Sequence, residues 1–128
     1  MNMDSQDKKK IFPLIHSFSF AIAGILNALK NERNMRIHAF SSIFVLFASY
    51  FFSITKIEWL FILIAIGGMF ALELMNTAIE RVVDLATLDY HPLAKQAKDL
   101  AAGAVFVYAI LSVIIGMVIF LPYFFSLF

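Results

Sequence analysis

The sequence ELMNTAIERVVD at residues 73–84 decides the fold of this chain, because it places carboxylates directly after a long apolar run. The run, residues 59–72, contains no charged side chain. The helical period of 3.6 residues puts the following polar side chains on one face: Glu73, Thr77, Glu80 and Asp84, with Asn76 at its edge. Carboxylates in or beside a membrane are costly and by default indicate a functional site. The stretch therefore predicts a spanning helix whose polar end carries chemistry.

The composition of the whole chain is that of a small membrane protein. Of its 128 residues, 62% are hydrophobic, and the mean hydropathy is +0.86. Soluble domains contain only roughly 45–50% apolar residues. A chain of this length predicts a single membrane domain over residues 1–128. The chain has no cysteine, which excludes disulfides, thiol nucleophiles and cysteine-based metal sites.

The hydrophobic pattern predicts an all-α protein with four helical segments. Residues 13–30 mix polar and apolar side chains, which predicts an amphipathic helix on the membrane surface. Three spanning helices are predicted at residues 38–55, 59–84 and 99–122. The middle one is expected to emerge from the membrane with its carboxylates, and Pro122 is expected to end or kink the last one.

Lysine and arginine residues are concentrated on one side of the predicted spans. They lie before the first span or between the second and third spans, at Lys8, Lys9, Lys10, Lys30, Arg33, Arg36, Arg81, Lys95 and Lys98. Only Lys56 lies on the opposite side. The positive-inside rule then predicts a cytoplasmic N-terminus and an external C-terminus. The carboxylates of residues 73–84 would face the cytoplasm, where nucleotides are found.

Residues 73–84 also resemble the signature of the prokaryotic diacylglycerol kinase family, the small bacterial integral membrane lipid kinases. Two further segments, DYH at residues 89–91 and AKD at residues 97–99, follow at the spacing of that family, and NERNMRIH at residues 31–38 resembles its other polar segment. The segments GGMF (67–70) and HPLAK (91–95) are most similar to the Gram-positive branch, which is mainly undecaprenol kinase. The resemblance covers nearly the whole chain.

The resemblance implies a homotrimer of three-span subunits in the bacterial cell membrane, with active sites shared between neighbouring subunits. It implies ATP and Mg²⁺, a lipid alcohol as substrate, and no nucleic acid as partner. The implied reaction transfers the γ-phosphate of ATP to the primary hydroxyl of undecaprenol, giving undecaprenyl phosphate. Diacylglycerol stays open as the alternative substrate, because the sequence pattern does not reveal which lipid tail is accepted.

The resemblance further assigns roles to individual residues. Glu73 matches the catalytic base, and Glu32 and Glu80 match the Mg²⁺ ligands. Asn76, one turn from Glu73, is expected to fix Glu73 or a phosphate. The remaining polar positions expected near the nucleotide are Asp84, His91, Lys98 and Asp99. These residue types suit phosphoryl transfer, which needs alignment, charge neutralisation and a proton acceptor.

Simpler interpretations of the same residues stay open at this point. Carboxylates after a span are also typical of a solvated helix end, and an ion pair with Arg36, Arg81 or Lys98 would explain Glu73 without catalysis. His38 and His91 are more often interface residues than ligands. A non-catalytic scaffold or a transporter subunit is the alternative in another class, although no polar path crosses the predicted spans. No phosphate-binding Walker A motif is present in the sequence.

Overall fold

The computed structural model describes residues 3–128, with side chains from Pro13 onward, and these residues form four helices. The helices are α1 (Met3–Asn31), α2 (Arg33–Phe51), α3 (Lys56–Ala86) and α4 (Pro92–Phe125). No strand occurs within residues 3–128, which confirms the predicted all-α class. The side chains of Lys8, Lys9 and Lys10, which contribute to the predicted orientation, lie outside the described residues.

The described residues divide into two compact units, one ending at Glu32 and the other covering Arg33–Phe128. The first unit is α1, which contains Pro13 within the helix. The Ser17 hydroxyl donates to the Pro13 carbonyl at 2.8 Å, a local bond that serine often forms inside helices. The single domain over residues 1–128 stays a prediction, and the second unit holds α2, α3 and α4.

Three helical segments of the described residues are long and apolar enough to cross a membrane, as expected for a multi-pass membrane protein. They are Pro13–Asn31, α3 and α4. Their number agrees with the prediction, but the set includes the segment predicted as a surface helix and omits α2. Arg33, Arg36 and His38 lie in the first two turns of α2 and lower its average hydropathy. The surface position of α1 stays a prediction.

Packing within the second unit nevertheless places α2 at the same depth as the apolar part of α3. At one end, His38 of α2 contacts Glu73 of α3. At the other end, Phe52 and Trp59 pack on the same apolar cluster, which is built around Ile62. The distance from His38 to Phe52 and the distance from Trp59 to Glu73 are both about 21 Å along the helix axis. If α3 crosses the apolar layer, α2 crosses beside it.

The turn between α2 and α3 is defined by local hydrogen bonds. Ser53 adopts a left-handed conformation with φ of 50°, which reverses the chain. Thr55 then caps α3: its hydroxyl accepts from the Glu58 backbone N–H at 3.2 Å, and the Glu58 carboxylate accepts from the Thr55 N–H at 3.0 Å. This reciprocal capping box satisfies two donors at the start of the helix. The turn fixes the antiparallel pairing of α2 with α3.

Helices α3 and α4 are antiparallel neighbours that are joined by hydrogen bonds at both ends and in the middle. Lys98 donates to Asp84 at 2.6 Å at one end, and Tyr123 donates to Glu58 at 2.5 Å at the other. These contacts are separated by about 38 Å along the helix axes. That length exceeds the hydrocarbon core of a bilayer, which is about 30 Å thick. The pair is therefore long enough to cross the membrane and to carry polar groups at both boundaries.

The middle of the α3–α4 pair depends on Gly68. The Tyr108 hydroxyl of α4 donates to the Ile64 carbonyl of α3 at 2.6 Å, and the tyrosine ring lies directly over Gly68. A Cβ atom at Gly68 would lie 2.0 Å from the Tyr108 hydroxyl oxygen, so a larger residue would displace the ring. The close packing predicted for Gly67 and Gly68 thus holds for Gly68, whereas a Cβ at Gly67 would meet open space.

Helix α4 begins at Pro92, seven residues before the predicted start at residue 99. His91 is its N-cap, and the His91 Nδ1 accepts from the Leu93 backbone N–H at 3.1 Å. Proline is favourable at the first helical position because its missing N–H would have no partner there. Lys98 and Asp99 consequently lie well inside a helix. The other end of α4 continues through Pro122 to Phe125.

Candidate active site

Polar residues from three helices come together at one end of the second unit. His38 lies near the start of α2, the carboxylates of residues 73–84 lie in the second half of α3, and Lys98 lies in the second turn of α4. The polar face of α3 contacts α2 through Glu73 and α4 through Asp84. The predicted helical face is therefore directed towards both neighbouring helices.

Glu73 is the most buried carboxylate of this region, with 3% of its surface exposed. Its Oε1 atom lies 3.1 Å from the Nε2 atom of His38. Burial of an unpaired carboxylate is costly, so the contact with His38 helps to stabilise it. Arg36, Arg81 and Lys98 are the partners that the sequence suggests for Glu73. The structure places His38, which is 35 positions away in the sequence, at hydrogen-bond distance from Glu73, and it pairs Lys98 with Asp84.

Asn76 presents an unsatisfied oxygen beside Glu80. The Asn76 Nδ2 atom lies 3.5 Å from the Glu80 Oε1 atom, which is a long and weak hydrogen bond. The Asn76 Oδ1 atom is buried and has no hydrogen-bond partner among the described residues. Buried polar atoms are nearly always satisfied, so this oxygen is available to accept from a ligand. A cation, a hydroxyl or another donor would satisfy it.

The remaining predicted site residues on α4 have different partners. Lys98 is held against Asp84 of α3 at 2.6 Å, with both side chains about half exposed. Asp99 pairs with Lys95, one turn earlier on the same helix, at 2.5 Å. His91 caps α4. The structure thus brings Lys98 onto the polar face of α3, while Asp99 and His91 contact groups of their own helix.

Glu32, the other predicted metal ligand, ends the first unit, and its backbone N–H donates to the Ala28 carbonyl at 2.8 Å. No cluster of three or more Asp, Glu or His side chains forms a potential metal site among the residues described from Pro13 onward. Mg²⁺ does not require such a cluster, because it usually binds one or two carboxylates together with phosphate oxygens and water. The half-buried Glu80 carboxylate fits that donor set, and the unsatisfied Asn76 oxygen lies beside it.

A cavity of about 350 Å³ lies between α2, α3 and α4, beside His38, the residue that contacts the buried Glu73 carboxylate. His38 lines it, and its walls are mainly apolar, with Ala65 and Met69 of α3 and Val113 and Phe120 of α4. Binding pockets for small molecules measure about 300–1,000 Å³. The Ser112 hydroxyl, which also lines the cavity, is buried without a described partner. The cavity suits an apolar ligand that has its polar end near Glu73.

These features define a class: a small multi-pass membrane protein with a buried carboxylate and an adjoining polar helix face at the membrane boundary. The chain belongs to the prokaryotic diacylglycerol kinase family, whose sequence profile matches residues 19–120. The chain is 50% identical over 121 residues to an undecaprenol kinase of Bacillus subtilis, which covers 94% of this chain and 98% of that protein.

Two diacylglycerol kinases are further relatives. The protein of Synechocystis is 43% identical, over 85% of this chain and 63% of that protein. The protein of Haemophilus influenzae is 34% identical, over 73% of this chain and 80% of that protein. Family membership makes the chain a lipid kinase, for which ATP is the implied co-substrate. It favours the kinase over the scaffold and transporter alternatives.

Proposed function

We propose that this protein is an undecaprenol kinase, which uses Mg²⁺ and ATP to phosphorylate the primary hydroxyl of undecaprenol. The observation that carries this proposal is the position of Glu73. It is a buried carboxylate at the end of an apolar helix run, beside an apolar cavity. A lipid alcohol at the membrane boundary would present its hydroxyl at this level. The similarity to the Bacillus subtilis undecaprenol kinase supports the choice of lipid.

In the proposed mechanism, Glu73 is the general base. Its carboxylate accepts the proton of the lipid hydroxyl as the hydroxyl oxygen bonds to the γ-phosphorus of ATP and ADP leaves. Because Glu73 is buried, water does not compete strongly for the carboxylate. Asn76 lies one turn further along the helix, and its free Oδ1 atom is available to orient the incoming group without adding charge. The protein mainly provides alignment and a proton acceptor.

Glu80 and Glu32 are the proposed Mg²⁺ ligands. The bound ion would neutralise phosphate charge and align the phosphates of ATP. Lys98 provides a second positive charge, and Asp84 holds its ammonium group on the polar face of α3. A nucleotide phosphate would compete with Asp84 for Lys98. His91 and Asp99 are proposed to lie near the nucleotide on the strength of the family resemblance, with His91 also capping α4.

The cavity between α2, α3 and α4 is the proposed site for the first part of the lipid tail. Its apolar walls and its position beside His38 and Glu73 support this assignment. At about 350 Å³ it holds only the segment nearest the hydroxyl, and the rest of a polyprenyl chain would extend into the bilayer. Diacylglycerol is the second candidate substrate, because the Synechocystis and Haemophilus relatives are diacylglycerol kinases.

The experiment that tests the function measures phosphate transfer from labelled ATP by purified protein in matched micelles. We expect transfer to undecaprenol to be faster than transfer to diacylglycerol, and to require Mg²⁺. Equal amounts of folded protein are assayed with each lipid alone. A preference for diacylglycerol would reject the proposed substrate and retain a lipid kinase. Folded protein that phosphorylates neither lipid would reject the proposed function.

The orientation of the chain follows from the same proposal, because an ATP site must face the cytoplasm. We expect the N-terminus and Lys95 inside the cell, and Lys56 and the C-terminal Phe128 outside. The native chain has no cysteine, so single cysteines can be introduced at these positions without background labelling. An impermeant thiol reagent added to intact cells should label cysteines that replace Lys56 or Phe128. Lysed cells give the total labelling at each position, and external labelling at Lys95 would contradict the orientation.

We also propose that the protein is a homotrimer with active sites shared between neighbouring subunits. The support is the family resemblance together with the large exposed apolar surface of the spanning helices. One face of α4 packs on α3 and lines the cavity, whereas side chains such as Phe106 and Val118 are exposed in the single chain. Exposed apolar residues at these positions can contact lipid or a second subunit. Mixing subunits that carry different lesions tests the shared sites.

A further inference from the structure

We propose that His38 is a positioning residue for the proposed catalytic base, and this inference rests on the proposed kinase function. The His38 Nε2 atom lies 3.1 Å from the Glu73 Oε1 atom across the α2–α3 pair. The His38 side chain is 26% exposed and the Glu73 side chain 4% exposed, so the contact lies at the boundary of the buried region. It is a cross-helix contact of the buried carboxylate.

The bond restricts the conformation of the base. A glutamate side chain has several rotatable bonds, and fixing them costs conformational entropy that a bound substrate would otherwise have to supply. With the ring N–H on Nε2, His38 donates to Oε1 and leaves Oε2 to receive the proton of the lipid hydroxyl. The carboxylate is then held in one orientation before the lipid binds. Such preorganisation matters because a misplacement of about 1 Å can lower a rate by about 10²-fold.

The chemistry of the histidine side chain suits this role better than that of a lysine or arginine. A permanent cation at hydrogen-bond distance would stabilise the carboxylate and make it a weaker proton acceptor. A neutral imidazole donates a hydrogen bond without a full positive charge. His38 also lines the cavity together with Ser41 and Ser42. The same side chain therefore holds the base and borders the space proposed for the lipid.

The test compares three substitutions of His38 that differ in their ability to donate from the Nε2 position. Glutamine can place an amide N–H near the position of Nε2, asparagine is shorter and places it near the position of Nδ1, and leucine has no donor. We expect His38→Leu and His38→Asn to lower kcat with undecaprenol by about 10–100-fold, in line with a misplaced base. We expect His38→Gln to keep most of the wild-type kcat. The KM for ATP should stay unchanged in all three.

A double-variant experiment separates positioning from a general effect on folding. If His38 acts through Glu73, adding His38→Leu to Glu73→Gln should cause no further loss of kcat. Phe40→Leu on the same helix is the matched control, because Phe40 is 77% exposed and should retain wild-type activity. Thermal melting in micelles confirms that each variant is folded. The inference would be overturned if adding His38→Leu to Glu73→Gln lowered kcat by the same factor as His38→Leu lowers it in the wild-type protein.

The outcomes distinguish this inference from the function on which it rests. If the wild-type protein phosphorylates undecaprenol and the His38→Leu variant is equally active, the role of His38 is rejected and the kinase function is retained. Equal losses in His38→Gln and His38→Leu, in folded protein, would do the same, because a restored donor should rescue the rate. Folded wild-type protein that phosphorylates neither lipid would overturn the proposed function, and the positioning role with it.

Discussion

Glu73→Gln is expected to lower kcat for undecaprenol by about 10²–10⁴-fold, the usual contribution of a general base. The amide has nearly the same shape as the carboxylate and keeps an oxygen that can accept from His38, so packing around the buried side chain should survive. What it loses is the ability to take up the hydroxyl proton. The KM for ATP and the Mg²⁺ requirement should stay close to wild type. Steady-state kinetics in undecaprenol micelles measure both effects.

Glu58→Gln is the matched control for this substitution. It makes the same chemical change in the same helix, but about 22 Å away along the axis, at the end that contacts Tyr123. Its amide oxygen can still accept from Tyr123 and from the Thr55 N–H, and we expect its kcat to remain near wild type. If Glu73→Gln weakened ATP binding while its kcat stayed intact, the base would have to be another residue.

The Glu73 variant also tests whether active sites are shared. Glu73→Gln and Glu32→Gln place the two lesions in different compact units of the chain. If each site takes Glu73 from one subunit and Glu32 from its neighbour, mixed trimers contain some sites without either lesion. We expect coexpression of the two inactive chains to restore part of the activity. No restoration in demonstrably mixed oligomers would argue that both residues of a site belong to one chain.

The polar face of α3 could be predicted because it depends only on local periodicity. Glu73 and Asp84 are separated by eleven residues, close to three helical turns, so any helix over this stretch places them on one side. The structure then shows what that face contacts: His38 on α2 and Lys98 on α4. The Glu73–His38 pair could not be predicted, because it depends on the register of α2 against α3, which is set by the turn around Ser53.

The start of α4 was harder to predict for a local reason. The segment 88–92 ends in His91-Pro92, and proline usually indicates a turn or the end of a helix. Here Pro92 is the first residue of the helix, and the His91 imidazole provides the cap in place of the commoner serine or aspartate.

The identity of the membrane-spanning helices is a second feature that the sequence alone does not decide. Average hydropathy selects Pro13–Asn31 over α2, whereas packing places α2 beside the apolar part of α3.

Glu80→Gln is expected to raise the Mg²⁺ concentration for half-maximal activity by at least about 10-fold. Loss of residues that only support a metal ligand typically costs 10–100-fold in metal affinity, and loss of a direct ligand should cost no less. Mg²⁺ prefers charged oxygen donors, and the neutral amide is a weaker ligand. The amide oxygen can still accept from Asn76, so the local structure should persist. Activity is measured over a range of Mg²⁺ concentrations at fixed ATP and undecaprenol.

A direct ligand must be distinguished from a carboxylate that only adds to the negative field of this region. Asp89→Asn removes one negative charge from the exposed loop between α3 and α4, while its backbone N–H can still donate to the Thr87 hydroxyl. A general field effect would raise the Mg²⁺ requirement in both variants by similar factors. A ligand role predicts a large change for Glu80→Gln alone, with kcat largely recovered at saturating Mg²⁺. A different outcome is that kcat of Glu80→Gln stays low at every Mg²⁺ concentration while the Mg²⁺ requirement does not change. Glu80 would then act in the chemical step, and the roles proposed for Glu73 and Glu80 would have to be reversed.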